Sequence, residues 1–123
     1  MNNNEKIKFL GKVYINLKRS ELAYRNYIDN DKKFIFARII KHCNKETLNL
    51  LTNNSYLLSD NLISDSIELI SHIDIWIEKW NDLAETKKPS LDDEFIFENE
   101  FTFPRKAAEN LENEFLKIRT QED

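Results

Sequence analysis

Glycine is nearly absent from this chain, and its absence limits how the backbone can turn. Gly11 is the only glycine among 123 residues, and prolines occur only at Pro89 and Pro104. Sheets joined by tight hairpins usually need more glycine, because the favoured two-residue turns place residues at positive φ. The composition therefore favours helices joined by turns of Asn, Asp and Ser. The length fits a single domain over residues 1–123.

Four segments show the apolar periodicity of amphipathic helices. The pattern predicts helices over about residues 5–30, 32–51, 60–87 and 104–119. The stripe expected for the first helix consists of Ile7, Leu10, Tyr14, Leu17, Glu21, Tyr24 and Ile28. The third helix carries two adjacent stripes, as expected of a helix with two neighbours. The first of these consists of Ile63, Ile67, Ile70, Ile73, Ile77, Trp80 and Ala84.

The stretch before the last helix has the least helical character of the chain. Its phenylalanines alternate with other residues, and they are Phe95, Phe97, Phe101 and Phe103. Alternation of this kind is typical of two short strands or of an extended aromatic loop, and the sequence leaves both open. The expected fold is therefore mainly α: an antiparallel, four-helix bundle-like single domain with a short extended or hairpin segment before the last helix.

Charge is divided unevenly along the chain. Residues 1–54 carry eleven Lys/Arg and five Asp/Glu, whereas residues 55–123 carry seven and seventeen. Antiparallel helices would bring the two halves together and cancel much of the field, but the asymmetry also prompts a search for a partner. The isoelectric point of about 5.3 is low for a nucleic-acid-binding protein. We therefore expect a protein partner, with a nucleic-acid-binding regulator as an alternative and a homodimer left open.

Several classes of function leave no signature in the sequence. Cys43 is the only cysteine, so neither an internal disulfide nor a cysteine zinc cluster can form. No apolar run is long enough to span a membrane, and the first residues lack the apolar stretch of a secretory signal. No phosphate-binding loop or Ser/His/Asp arrangement is visible. We expect a cytoplasmic protein with no cofactor, no metal and no catalytic residue, and hence a non-enzymatic role.

Arg38 and His42 form a pair that could carry chemistry. They are four residues apart on one predicted helix and share a face. Such a pair can bind phosphate, or supply an acid and a cation for RNA cleavage. Helical nucleases of the HEPN group carry an Arg and a His separated by four to six residues, whereas only three residues separate Arg38 from His42. The alternative function is therefore a HEPN-like RNase or a catalytically dead relative.

The acidic half offers the main candidate for a docking surface. Its members are Asp92, Asp93, Glu94, Glu98 and Glu100, interleaved with aromatic residues. Aromatic side chains supply contact area, while carboxylates steer a basic partner. Trp76 and Trp80 lie one turn apart and are candidates for the same surface, because tryptophan is enriched in interface hot spots. The sequence leaves open whether these two belong to the core or to the interface.

Two sequence segments near the C-terminal end resemble segments of other proteins. They are Ser71-His72-Ile73-Asp74-Ile75-Trp76-Ile77-Glu78-Lys79-Trp80 and Phe101-Thr102-Phe103-Pro104-Arg105-Lys106-Ala107-Ala108. Together they resemble the tail region of small helical accessory proteins from bacterial mobile elements and antiphage defence loci. In that region a long helix, a short linker and an F-x-F-P turn lead into a final helix. The resemblance covers about the last fifty residues, and it implies a cytoplasmic accessory or binding role in a bacterial antiviral defence or mobile-element system.

Overall fold

A computed structural model describes residues 3–122, which fold into four helices. The helices are α1 (Asn3–Asp29), α2 (Phe34–Asn54), α3 (Asp60–Lys87) and α4 (Arg105–Glu122). A 3₁₀ turn joins α2 to α3, and no strand forms within the described range. Each helix packs on two others, in the cyclic order α1, α2, α3, α4. The predicted mainly α bundle is confirmed. Within residues 3–122, none of the helices combines the length and the apolar character needed to cross a bilayer.

Two clusters of buried side chains fill the bundle. The cluster where α1 begins consists of Phe9, Leu10, Val13, Leu17, Leu51, Leu58, Leu69, Ala107, Ala108 and Leu111. The cluster where α1 ends consists of Ala23, Tyr27, Ala37, Ile40, Trp80 and Phe95. Helix α4 contributes buried residues to the first cluster only. In the second cluster its place is taken by Phe95, which lies outside the helices.

The buried face of α1 departs from the predicted stripe over its second half. Tyr24 is 55% exposed and Ile28 is 45% exposed, so the prediction for these two residues was wrong. The inward face runs through Phe9, Val13, Asn16, Ser20, Ala23 and Tyr27. Asn16 fits into the core because its Nδ2 donates to the Lys12 carbonyl at 3.0 Å and its Oδ1 accepts from Arg19 at 3.1 Å. Because Asn16 and Ser20 on this face are polar, the pattern of apolar residues in the sequence does not reveal which face is buried.

A buried polar residue also makes the apolar stripe predicted for α3 wrong at one position, Ile67. Ile73 is 2% exposed and belongs to the core, whereas Ile67 is 56% exposed. The buried neighbour of Ile67 is Ser66. Its hydroxyl oxygen lies 2.5 Å from that of Ser55, so the polar group is satisfied inside the core.

Gly11 marks a close approach of α1 and α4. A Cβ at this position would lie 3.1 Å from Phe115 Cε1, and the Phe115 ring centroid lies 5.1 Å from that of Tyr14. Glycine within a helix costs about 1 kcal/mol relative to alanine. Here the missing side chain makes room for the Phe115 ring.

The connection from α3 to α4 binds to the start of α2. Phe34 N donates to the Asp93 carbonyl at 2.8 Å, and Phe95 N donates to the Lys32 carbonyl at 2.8 Å. The Phe34 N–H lies in the first turn of α2, where no intrahelical acceptor exists, so the connection caps this helix. The turn that joins α1 to α2 uses no glycine. Asp31 and Lys32 adopt the left-handed conformation there, with φ values of 60° and 52°.

Residues 95–103 form neither helix nor strand, and they do not form a hairpin, because no bridge joins the two phenylalanine pairs. We call residues 95–103 the aromatic strap. Tyr27 fastens its beginning: the hydroxyl group donates to the Phe95 carbonyl and accepts from Phe97 N at 3.1 Å. Burial raises the pKa of Tyr27 above 10.0, its ordinary value. The strap is therefore attached to α1 through a neutral, buried phenol.

Removing this phenol is expected to destabilise the fold without a change of shape. In Tyr27→Phe, the Phe95 carbonyl and the Phe97 N–H lose their shared partner while the ring remains. We expect the free energy of unfolding to fall by about 1–3 kcal/mol, the cost of unsatisfied buried polar groups. Urea denaturation followed by circular dichroism measures this. Tyr24→Phe is the matched control, because the Tyr24 ring is 55% exposed, and equal losses in both variants would contradict the role given to Tyr27.

Candidate functional site

A cavity of about 810 Å³ lies beside the second half of α1. Residues of all four helices and of the strap line it. Helix α4 begins only at Arg105, and the strap that precedes it closes the cavity only in part. The aromatic side chains around the cavity are Tyr24, Trp76, Phe97, Phe101 and Phe103. We call this cavity the aromatic groove.

The wall between the strap and α3 is held by ring contacts. The Phe97 ring meets Trp76 edge-on, with centroids 5.2 Å apart and planes at 87°. The Phe103 ring meets His72 in the same way, at 5.5 Å and 85°. Edge-to-face pairs of this kind are worth about 0.5–1.5 kcal/mol beyond the area that they bury. The strap is thus tied to α3 at both of its ends.

The wall between α1 and α4 carries charge. Lys18 Nζ lies 3.6 Å from Glu112 and 3.7 Å from Glu21. Burial raises the pKa of Glu112 above its ordinary value, and Lys18 opposes part of that rise. Further charged residues line the groove: Arg25, Glu98, Arg105 and Glu109. Within residues 3–122 none of these four takes part in an ion pair.

His72 lies half-buried in the groove, and burial lowers its pKa below 6.5, the ordinary value. Its ring is therefore neutral at pH 7. Because the folded-state pKa is the lower one, the unfolded chain binds the proton first as the pH falls. The contribution of His72 to stability is thus present above about pH 6.5 and is lost as the pH falls through the folded-state pKa.

We expect acidification to separate the wild type from His72→Gln. Between about pH 7.5 and about pH 5, the free energy of unfolding should fall further in the wild type, because only its unfolded state gains the His72 proton. Urea denaturation at a series of pH values measures the two slopes. The variant keeps His42 and every carboxylate, so the difference reports His72 alone. Parallel slopes would show that His72 titrates alike in both states.

The buried Phe95 divides the acidic docking segment predicted from the sequence. Asp92, Asp93 and Glu94 precede it, are exposed and lie beside the start of α2. Asp93 Oδ2 accepts from Ser90 N at 2.7 Å, which closes a local turn. These three carboxylates do not line the groove.

The two later carboxylates of that segment lie on the strap. Glu98 lines the groove. Glu100 is exposed and accepts a hydrogen bond from Lys79, whose ammonium group lies 5.1 Å from the centroid of the Phe101 ring. Lys79 therefore holds the strap against α3 through a carboxylate and a ring together.

The two tryptophans have different surroundings. Trp80 is 4% exposed, stacks on Phe34 at 5.5 Å and contacts Phe95 at 5.2 Å. The Lys41 ammonium group lies 4.5 Å from its ring. Trp80 thus belongs to the core. It is not part of the docking surface predicted from the sequence, because a buried indole offers no contact area to a partner. Trp76 is half-buried and lines the groove.

Arg38 and His42, the pair predicted to bind phosphate or to act on RNA, lie on the exposed side of α2. The His42 side chain is 62% exposed, and its Nε2 lies 3.6 Å from Glu46 Oε1. Neither residue lines the groove. The groove instead brings together His72, Arg25 and Arg105, which come from three different helices.

Sequence reasoning gave these three residues no role in a site, because they lie far apart in the sequence and line one cavity only in the folded chain. Cys43 is fully buried, and burial raises the pKa of its thiol, as is typical of an unreactive core cysteine. Within residues 3–122, no group of three or more His, Cys, Asp and Glu side chains could hold a metal ion.

Comparisons of this chain with protein-family models, with curated proteins and with solved structures find no match.

Proposed function

We propose that this chain is a non-enzymatic protein-binding domain, an accessory subunit or inhibitor, that takes a segment of a partner protein into the aromatic groove. One observation carries the proposal: partly exposed aromatic rings from separate elements converge on one cavity. Tyr24 is 55% exposed, Phe101 49% and Phe103 37%. Soluble domains normally bury such rings, and their clustering on a surface is typical of interaction sites.

The size of the groove supports the same role. A volume of about 810 Å³ falls within the range of sites that enclose a ligand or several side chains of a peptide. Its walls combine apolar rings, which supply contact area, with charged groups at the rim, which orient a partner. These features suit a protein partner, and they do not require a membrane or a nucleic acid.

The resemblance of residues 71–80 and 101–108 supports a cytoplasmic role in a bacterial defence or mobile-element system. Both phrases contribute to the groove, the first through Trp76 and the second through Phe103. A partner would therefore be sought among the proteins encoded beside such an accessory gene.

The test is affinity capture with a groove variant and a matched surface variant. Tyr24→Ala/Phe101→Ala removes two exposed rings from the groove, and Tyr56→Ala removes a ring that is 73% exposed and lies elsewhere. A partner captured from the native host is purified, and its affinity for all three proteins is measured. We expect binding to be lost in the groove variant and kept in Tyr56→Ala. Unchanged affinity in the groove variant would place the interface elsewhere.

Cleavage of RNA is the alternative raised by Arg38 and His42. Because both side chains are exposed and His42 lies beside Glu46, we expect purified protein to leave single-stranded RNA intact. His42→Ala should give the same gel pattern. Reproducible cleavage that disappears in His42→Ala would favour the RNase. Binding to DNA that weakens steeply with salt would favour the nucleic-acid-binding regulator.

A further inference from the structure

The aromatic strap is held in two different ways along its length. Its first residues are fixed through their backbone: Phe95 N donates to the Lys32 carbonyl at 2.8 Å, and Phe97 N donates to the Tyr27 hydroxyl at 3.1 Å. The Phe95 side chain is also fully buried. This part of the strap therefore cannot leave the bundle without breaking buried hydrogen bonds and opening the second cluster.

Residues 98–103 form the other part of the strap, and we call them the flap. Within the part of the chain that the structure describes, no hydrogen bond joins the backbone of residues 98–102 to a helix. The Phe101 N–H reaches only Asn99 Oδ1, at 3.4 Å and inside the flap itself. Side chains, and not backbone bonds, therefore hold the flap between Phe97 and the start of α4.

Two contacts hold the flap against α3. Lys79 donates to the Glu100 carboxylate, and its ammonium group lies 5.1 Å from the centroid of the Phe101 ring. The Phe103 ring meets His72 edge-on at 5.5 Å. Glu100 and the two phenylalanines are exposed, and exposed ion pairs are weak and screened by salt. The flap is therefore held by contacts that can break one at a time while the core stays intact.

The closed position of the flap leaves one buried polar group without a partner. Asn99 Nδ2 is buried and has no hydrogen-bond partner within residues 3–122. Buried polar groups are normally paired, and an unpaired one destabilises the state that buries it. Opening the flap would expose this amide to water. The flap also contributes Glu98, Asn99, Phe101 and Phe103 to the lining of the groove, so its opening would remove one wall of that cavity.

We propose that the flap is a hinged lid of the aromatic groove, that it opens while the helices and the first part of the strap stay in place, and that Lys79 is its latch. One hinge follows Phe97, and the other precedes Pro104, whose ring fixes its own φ. With the flap open, the groove admits a larger segment than the closed cavity of about 810 Å³. The opening is a property of this chain alone, so it holds or fails independently of the proposed partner.

The first experiment detects local opening by the reactivity of a thiol. Asn99→Cys places a thiol where the amide is buried, and its reaction with dithiodipyridine, a neutral disulfide, is followed by absorbance. Cys43 is fully buried in the bundle and serves as the reference for global unfolding in the same molecule. We expect the thiol at position 99 to react at least about tenfold faster than Cys43, because local opening needs less free energy than global unfolding.

Two outcomes of this experiment would overturn the proposal. Equal rates for the two thiols would show that the flap opens only when the bundle unfolds. A thiol at position 99 that reacts as fast as in the urea-unfolded chain would show that the flap has no closed position.

The second experiment tests the latch in the Asn99→Cys background. Lys79→Gln removes both the ion pair and the contact with the Phe101 ring, and we expect the thiol at position 99 to react at least about threefold faster. Cys43 should react as before. Lys45→Glu is the matched control, because Lys45 is exposed, lies outside the groove and makes no ion pair within residues 3–122. An unchanged rate in Lys79→Gln would overturn the assignment of the latch.

Reversing both charges of the latch separates its role from a general effect on α3. Lys79→Glu opposes Glu100 with a like charge and should speed the reaction, and adding Glu100→Lys should slow it again. Glu100→Gln breaks the same ion pair from the exposed side if Lys79→Glu fails to fold, as judged by circular dichroism. Raising the salt concentration from about 0.05 M to about 0.5 M should speed the reaction with Lys79 present and not in Lys79→Gln. Acceleration without rescue, or an equal salt effect in both proteins, would overturn the proposed latch.

Discussion

Phe95→Ala is expected to lower the free energy of unfolding by about 3–5 kcal/mol, the range for removal of a buried phenylalanine. Phe95 is fully buried and lies 5.0 Å from the Phe34 ring and 5.2 Å from the Trp80 ring. Phe95 and the rings of Phe34 and Trp80 belong to the same buried cluster, so the truncation leaves a cavity among them. Urea denaturation followed by circular dichroism measures the loss.

Ile96→Ala is the matched control for this change. Ile96 is the next residue along the strap, and it is 51% exposed. Its truncation should alter the free energy of unfolding by no more than about 0.5 kcal/mol. A similar loss in the two variants would mean that the strap stabilises the domain through its backbone alone. A small loss in Phe95→Ala would mean that the strap can leave the core at little cost.

The second large effect is expected at Leu69, on α3. Leu69 is fully buried in the cluster at the start of α1, and Leu69→Ala should lower the free energy of unfolding by about 2–5 kcal/mol. The cost combines the transfer of the lost methyl groups with the cavity that they leave. Ile67→Ala, on the same helix, is the control because Ile67 is 56% exposed. Similar losses at the two positions would contradict the packing described for α3.

The helices were predictable because their signal is local. Residues 60–87 show an apolar period of three and four, and α3 has those bounds in the structure. The inward face of each helix was harder to predict. Asn16 and Ser66 are buried and satisfied by hydrogen bonds, so the true core positions include polar residues. Apolarity alone therefore assigned Tyr24 to the core.

The groove could not be predicted, because it depends on where helices meet and not on what any segment contains. Arg25 and Arg105 are far apart in the sequence, yet both line the groove in the folded chain. The acidic segment was recognised as a whole, yet the burial of Phe95 separates its members. Only tertiary packing decides which of its carboxylates reach the groove.

The unlike surroundings of the two tryptophans give the native chain two optical signals. These are the only tryptophans in the sequence, so its indole fluorescence comes from one ring in the core and one in the groove. Trp80 reports on the integrity of the second cluster, whereas Trp76 lies edge-on to Phe97 at the cavity wall. A segment that entered the groove as proposed would change the solvent around Trp76, whereas Trp80 would stay buried. The proposed binding could therefore be tested by intrinsic emission, without a label on this chain.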